Sequence, residues 1–149
     1  MSQSEIHVRL AATRDRRAIA GCDARVSADL HRRELVDAAI AARRCWVGEL
    51  DGALAGYGVL TDNFFGRDFI ELLFVAESAR RKGIGEAILQ TIERARPSGR
   101  LFTSTTESND AMRGLLAKRG YQPSGRIENL DPGDPELIFV RIPDGASTR

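Results

Sequence analysis

Between Phe69 and Leu89 the chain reads FIELLFVAESARRKGIGEAIL, and within that stretch its apolar period changes. Phe69–Val75 is a short apolar run suited to a buried strand, whereas Ile84, Ile88, Ile92 and Ala95 recur on one helical face. The switch passes through Arg80-Arg81-Lys82-Gly83-Ile84-Gly85, so a strand must feed a helix through a turn rich in glycine and positive charge. The first turn of a helix leaves N–H groups without carbonyl partners and carries the positive end of the helix dipole. Gly83 and Gly85 present no side chain to hold an anion away and permit positive φ. Arg80, Arg81 and Lys82 add full charges, and the arginine fork suits phosphate oxygens, so a diphosphate is a sensible guest. A tight turn with solvated basic residues accounts for the same spacing. Two other phosphate motifs are excluded: no GxxxxGK[ST] occurs, and Ile88 stands where a dinucleotide fingerprint needs its third glycine.

The remaining pattern is that of one mixed α/β domain over residues 1–149. Glu5–Ala11 alternates as a strand. A helix capped by Thr13, with Asp15 in its first turn, runs through Ile19, Cys22 and Val26, and a second covers His31–Arg43. Apolar runs on either side of Asp51-Gly52 predict a hairpin, and "DNFFGRD" reads as a loop before Phe69–Val75. Pro97-Ser98-Gly99 stops the helix after the glycine turn, and Arg100–Thr106 is a strand. A helix opening at Ser108 or Asn109 should bury Ala111, Met112, Leu115 and Leu116 and end at Gly120. Strands around Tyr121–Glu128 and Leu137–Ile142, joined by "NLDPGDPE", complete the order βααβββαβαββ.

Composition excludes several classes. A net charge of +1 over 149 residues gives no global attraction to nucleic acid, and the arginine-rich helix faces are balanced by acids. No apolar run approaches the roughly 20 residues that span a bilayer. The N-terminus lacks the basic-then-apolar layout of a secretory signal, so a cytoplasmic protein is expected. Cys22 and Cys45 form no CxxC, and His7 and His31 are isolated, so no metal site is expected.

Arg80-x-x-Gly83-x-Gly85 resembles the coenzyme A loop of the GNAT superfamily of N-acetyltransferases. The strand before it and "SNDAMRGLLAKRGY" after it, with Asn109, Gly120 and Tyr121 in register, are similar to the family's central block and following helix. The resemblance implies a mostly antiparallel mixed sheet whose central strands, Phe69–Val75 and Arg100–Thr106, splay to admit the pantetheine arm of acetyl-CoA. It assigns Leu73, Phe74 and Val75 to pair with that arm through their backbone. It assigns Arg80, Arg81, Lys82, Gly83, Ile84, Gly85 and Glu86 to the diphosphate, and Asn109 to a hydrogen bond with the arm. Helix N-capping is an equally sound role for Asn109.

An alkyl amine is mostly protonated at neutral pH and needs a base before it can attack. The family register points to Glu71, within the apolar run FIELLFV; a glutamate on a solvated sheet face is the plainer account. The family's usual acid, a tyrosine seven residues after the asparagine, is Leu116 here, and Tyr57 in the earlier hairpin strand is a candidate substitute. Asp131, Asp134 and Glu136 crowd the last loop, which in this family can reach the acceptor and would attract a cationic amine. A polar hairpin loop explains them as well. Val26–Leu30, leading to His31, and Phe64-Phe65 are further candidate walls. The expected activity is acetyl transfer from acetyl-CoA to a small-molecule or peptide amine by direct attack in a ternary complex. A silent acyl-CoA-binding sensor is the alternative, and since family members are often dimers, a homodimer is a further expectation.

Overall fold

A computed structural model of the chain describes residues 4–97 and 99–143; Ser98 of the expected helix stop lies outside them. The strands are β1 (Ile6–Leu10), β2 (Cys45–Leu50), β3 (Ala53–Phe64), β4 (Arg67–Val75), β5 (Leu101–Thr106), β6 (Gln122–Asp131) and β7 (Asp134–Arg141). The helices are α1 (Arg16–Cys22), α2 (Ala24–Ala28), α3 (Leu30–Ala41), α4 (Ile84–Ala95) and α5 (Asp110–Lys118), with 3-10 turns at Thr13–Asp15 and Glu77–Ala79. The seven strands hydrogen-bond in the order β1-β2-β3-β4-β5-β7-β6. Of the strand pairs, β4–β5 is parallel, while β1–β2, β2–β3, β5–β7 and β6–β7 are antiparallel. The fold is an α/β one with a mixed, mostly antiparallel sheet. The chain divides into two compact units, Met1–Thr61 with Leu72–Ala95, and Asp62–Glu71 with Arg96–Arg149.

In the first unit, side chains alternate across the strands, and each face has its own partner. Val47, Tyr57 and Val59 join Ile19, Val26 and Val36 of the short helices in one core, with Leu72 and Phe74 packed against it. On the other face α4 lies over glycines. A Cβ on Gly56 would stand 2.7 Å from the Phe74 carbonyl oxygen, and one on Gly58 would stand 2.9 Å from Ile88 Cγ2. Those gaps let Ile84, Ile88 and Ile92 bury almost completely against the sheet.

The expected first helix breaks at Asp23, which has an extended backbone, ends α1 and caps α2 by accepting from Arg25 N–H. Thr13 opens a 3-10 turn instead of capping an α-helix, and it is the Asp15 carboxylate that takes the Ala12 N–H at 2.7 Å.

In the second unit, "DNFFGRD" is a hairpin, not a loop: β3 runs to Phe64 and β4 starts at Arg67, with Phe65-Gly66 between them, both at positive φ. Phe64 stacks on Phe69 at 4.9 Å and meets Phe102 at 5.1 Å, while Phe65 is exposed. The β4–β5 ladder pairs Asp68 with Leu101, Phe69 with Phe102 and Ile70 with Thr103, and Thr103 Oγ1 donates to the Ile70 carbonyl at 3.0 Å. On α5, Leu116 is fully buried but Ala111 is exposed, so the buried stripe is narrower than its spacing suggested. The strand around Tyr121–Glu128 extends to Asp131, and "NLDPGDPE" shrinks to a Pro132-Gly133 turn.

Candidate functional site

After β4 the backbone turns sharply. Arg80 is extended, Arg81 has φ 66° and Gly83 has φ 88°, and the Gly83 carbonyl then accepts the Ala87 N–H at 3.0 Å. Gly83 therefore caps α4 from a left-handed conformation that residues with a side chain adopt only at a cost. Space is not what demands glycine there, since an added Cβ would meet only Ile6 Cδ1 at 3.6 Å. Helix geometry leaves the N–H groups of Ile84 and Gly85 without carbonyl acceptors inside α4, at the positive end of its dipole. Glu86, half-buried in the first turn, complements that dipole.

Arg80, Arg81, Lys82 and Gly83 are exposed around this turn. The Arg80 Nε is folded back onto the Val75 carbonyl at 3.3 Å, which ties the loop to the end of β4. The Ile84 side chain is core, so only its backbone is available to a ligand. Phe74 likewise turns its ring to Tyr57, 5.9 Å between centroids, leaving its backbone as the part that can pair with a guest. The first unit thus gathers Leu73–Val75 and Arg80–Glu86 around one strand-to-helix turn. Such a turn fits a diphosphate: positive φ at its centre, cations on its rim and a helix N-terminus behind it.

Glu71 is half-buried in β4, directly after the buried Ile70, and has a polar partner of its own. The second unit holds the other predicted residues. Asn109 caps α5, its Oδ1 accepting the Met112 N–H at 3.1 Å, so the amide nitrogen is what it can offer a ligand. Asp134 accepts from the Ser108 backbone N–H at 3.1 Å and from its hydroxyl at 2.6 Å. Glu136 accepts the Ser104 hydroxyl at 2.7 Å, and Asp131 is exposed beside the Pro132-Gly133 turn. Two of these three carboxylates are therefore already committed to serine donors. Among the described residues, no group of three His, Cys, Asp or Glu side chains could hold a metal ion, and no helix is long and apolar enough to cross a membrane.

Tyr57 cannot stand in for the missing acid. Its ring is fully buried and its hydroxyl donates to Asp23 Oδ2 at 2.6 Å. Burial, and then the neighbouring carboxylate, raise its pKa well above that of an ordinary phenol. Leu116, at the family's tyrosine position, is equally inaccessible.

Sequence reasoning missed an open surface groove of about 720 Å³ in the first unit, bounded by Gly21 and Cys22 of α1, Leu54, and Ala76–Ser78 after β4. The signal available was faint, a run of small residues along α1. Burial and the adjacent Asp23 raise the Cys22 thiol pKa, so it is a weak nucleophile.

Comparison with known proteins agrees with this geometry. Residues 14–121 match the acetyltransferase (GNAT) family. A GNAT-family acetyltransferase structure from Bacillus cereus superposes with a TM-score of 0.86 and 32% identity, over 93% of this chain and 98% of that one. A Salmonella typhimurium acetyltransferase structure, solved with its cofactor acetyl-CoA, shares the fold at TM-score 0.72 and 19% identity, over 95% of this chain and 96% of that one. A peptidyl-lysine N-acetyltransferase of Escherichia coli is 39% identical over 61 residues, 41% of this chain and 39% of that one. The chain thus spans well under two thirds of that relative, and 55% of a second curated relative. With its family-wide match and a near full-length structural counterpart, the chain belongs to the GNAT acetyltransferase family.

Proposed function

We propose that this protein is an N-acetyltransferase that uses acetyl-CoA and a primary amine of a small molecule or peptide, brought together in one ternary complex. The observation that carries the reading is the left-handed Gly83, which presents the first turn of α4 within a rim of three exposed cations. Acetyl-CoA supplies the activated acetyl group. The backbone of Leu73–Val75 holds its extended arm as an added strand would, and Arg80–Glu86 hold its diphosphate. Asn109 offers its amide nitrogen to the same ligand. Glu71 takes a proton from the incoming ammonium, directly or through water, since the amine must be neutral to attack. Asp131, with Asp134 and Glu136, makes the acceptor side attractive to a cation.

The E. coli relative is named for peptidyl-lysine, which puts lysine peptides first on an acceptor panel that also includes polyamines, amino acids and aminoglycosides. The test follows thiol release from acetyl-CoA across that panel, and turnover with at least one amine is expected. A Glu71→Gln variant should turn over more slowly with an altered pH–rate profile; an unchanged profile would remove Glu71 as the base. A second reading, a silent acyl-CoA sensor, draws support from the burial of Leu116 and the engagement of the Tyr57 hydroxyl, which leave neither position able to protonate a departing thiolate. Tight acetyl-CoA binding with no thiol release for any amine would favour that second reading.

A further inference from the structure

We infer that Asp23, Arg32 and Tyr57 form a positioning device that fixes the strand segment holding the acetyl-CoA arm. The inference rests on the proposed cofactor reading and extends it to residues outside the loop. Asp23 joins α1 to α2, and its side chain is only 2% exposed. Its Oδ2 accepts from the Tyr57 hydroxyl at 2.6 Å, from Arg32 Nε at 2.9 Å and from Arg32 Nη2 at 2.8 Å, while Oδ1 takes the Arg25 N–H at 3.1 Å. One carboxylate thereby ties the starts of α2 and α3 to the middle of β3. The Tyr57 ring in turn packs on Phe74, the central residue of Leu73–Val75. Two contacts separate Asp23 from the arm segment.

Stability alone does not account for this arrangement. A buried ion pair commonly contributes no more than apolar residues of similar volume, and breaking one side of it is what costs. Phenylalanine at 57 over an apolar pair would fill the same space; what the network adds is a fixed ring orientation. Two neighbouring features make that orientation consequential. Tyr57 stands between Gly56 and Gly58, which face α4, so between them β3 presents a side chain only to the helical face, and that side chain is Tyr57. The open groove beside Gly21 and Cys22 lies against Ala76–Ser78, the segment that directly follows β4 and Phe74.

Binding of two ligands separates positioning from mere structure. Acetyl-CoA engages both the arm segment and the loop, whereas 3′-phospho-ADP carries the diphosphate without the pantetheine arm. Tyr57→Phe keeps the ring and the fold and removes one hydrogen bond, so it should weaken acetyl-CoA about fivefold and leave 3′-phospho-ADP within about twofold. Asp23→Asn should act in the same direction and more strongly. Equal weakening of both ligands, or a lowered melting temperature with both affinities unchanged, would overturn the inference. If the wild-type chain binds 3′-phospho-ADP and acetyl-CoA equally, the arm segment is not engaged and the inference fails while the loop reading stands. If it binds neither, the loop reading falls and takes this inference with it.

Discussion

At the scale of single residues, Gly83 separates backbone geometry from packing most cleanly. Its φ of 88° disfavours any side chain, while the space around it is open. Gly83→Ala should therefore cost about 1–2 kcal/mol of stability through strain in the left-handed region, measurable by urea unfolding. It should also weaken acetyl-CoA, because relaxing that φ swings the Ile84 and Gly85 N–H groups away from the guest. Asp15 offers a prediction in pH. The Arg9 guanidinium, bound at 2.8 Å, outweighs burial and holds the Asp15 carboxyl down at about 2. A depressed carboxylate stabilises the fold fully above its unfolded pKa near 4 and loses that contribution as pH falls toward 2. Wild type should exceed Asp15→Asn by on the order of 2 kcal/mol at pH 7, a gap that closes between about pH 4 and 2 in thermal melts.

At the scale of elements, close approach of α4 to β3 depends on strand glycines. Alanine at Gly56 would put a methyl 2.7 Å from a main-chain oxygen, so β3 and β4 must separate locally. The expected cost is about 1–3 kcal/mol, more than at Gly52, where open space surrounds the site but positive φ still penalises a side chain. This packing was hidden in the sequence because glycine in a strand pattern signals only some close approach, not which neighbour makes it. Strong periodicity was legible: Ile84, Ile88 and Ile92 fall on the buried side of α4 as their spacing dictates. The break at Asp23 was not: its cap of the Arg25 N–H is local, but the carboxylate is also held by Tyr57, 34 residues away in sequence. The β3–β4 hairpin was read as a loop because its turn uses Phe65 at φ 54°, a residue type that turn chemistry disfavours there. The strand-to-helix turn at Gly83 could be read directly because its geometry is local. The ties of Asp134 to Ser108 and of Glu136 to Ser104 could not, because they join distant segments.

At the scale of the whole molecule, the residues read as holding the cofactor divide between the two compact units. The loop and Leu73–Val75 belong to the first, and Asn109 belongs to the second, as do Asp131, Asp134 and Glu136 of the proposed amine site. On the proposed reading the diphosphate is held by the first unit, where charge and helix dipole converge. Substitutions at Asp131 should accordingly change the apparent amine affinity and leave acetyl-CoA binding nearly untouched, a split that steady-state kinetics with each substrate varied in turn can measure. The central claim is that the turn before α4 grips the diphosphate of acetyl-CoA, and calorimetric titration of that compound tests it most directly. The wild-type chain should release heat with saturable one-to-one binding that weakens as salt rises, and Arg80→Glu with Arg81→Glu should abolish it. No heat at millimolar acetyl-CoA, or unaltered binding in the charge-reversed protein, would contradict the account.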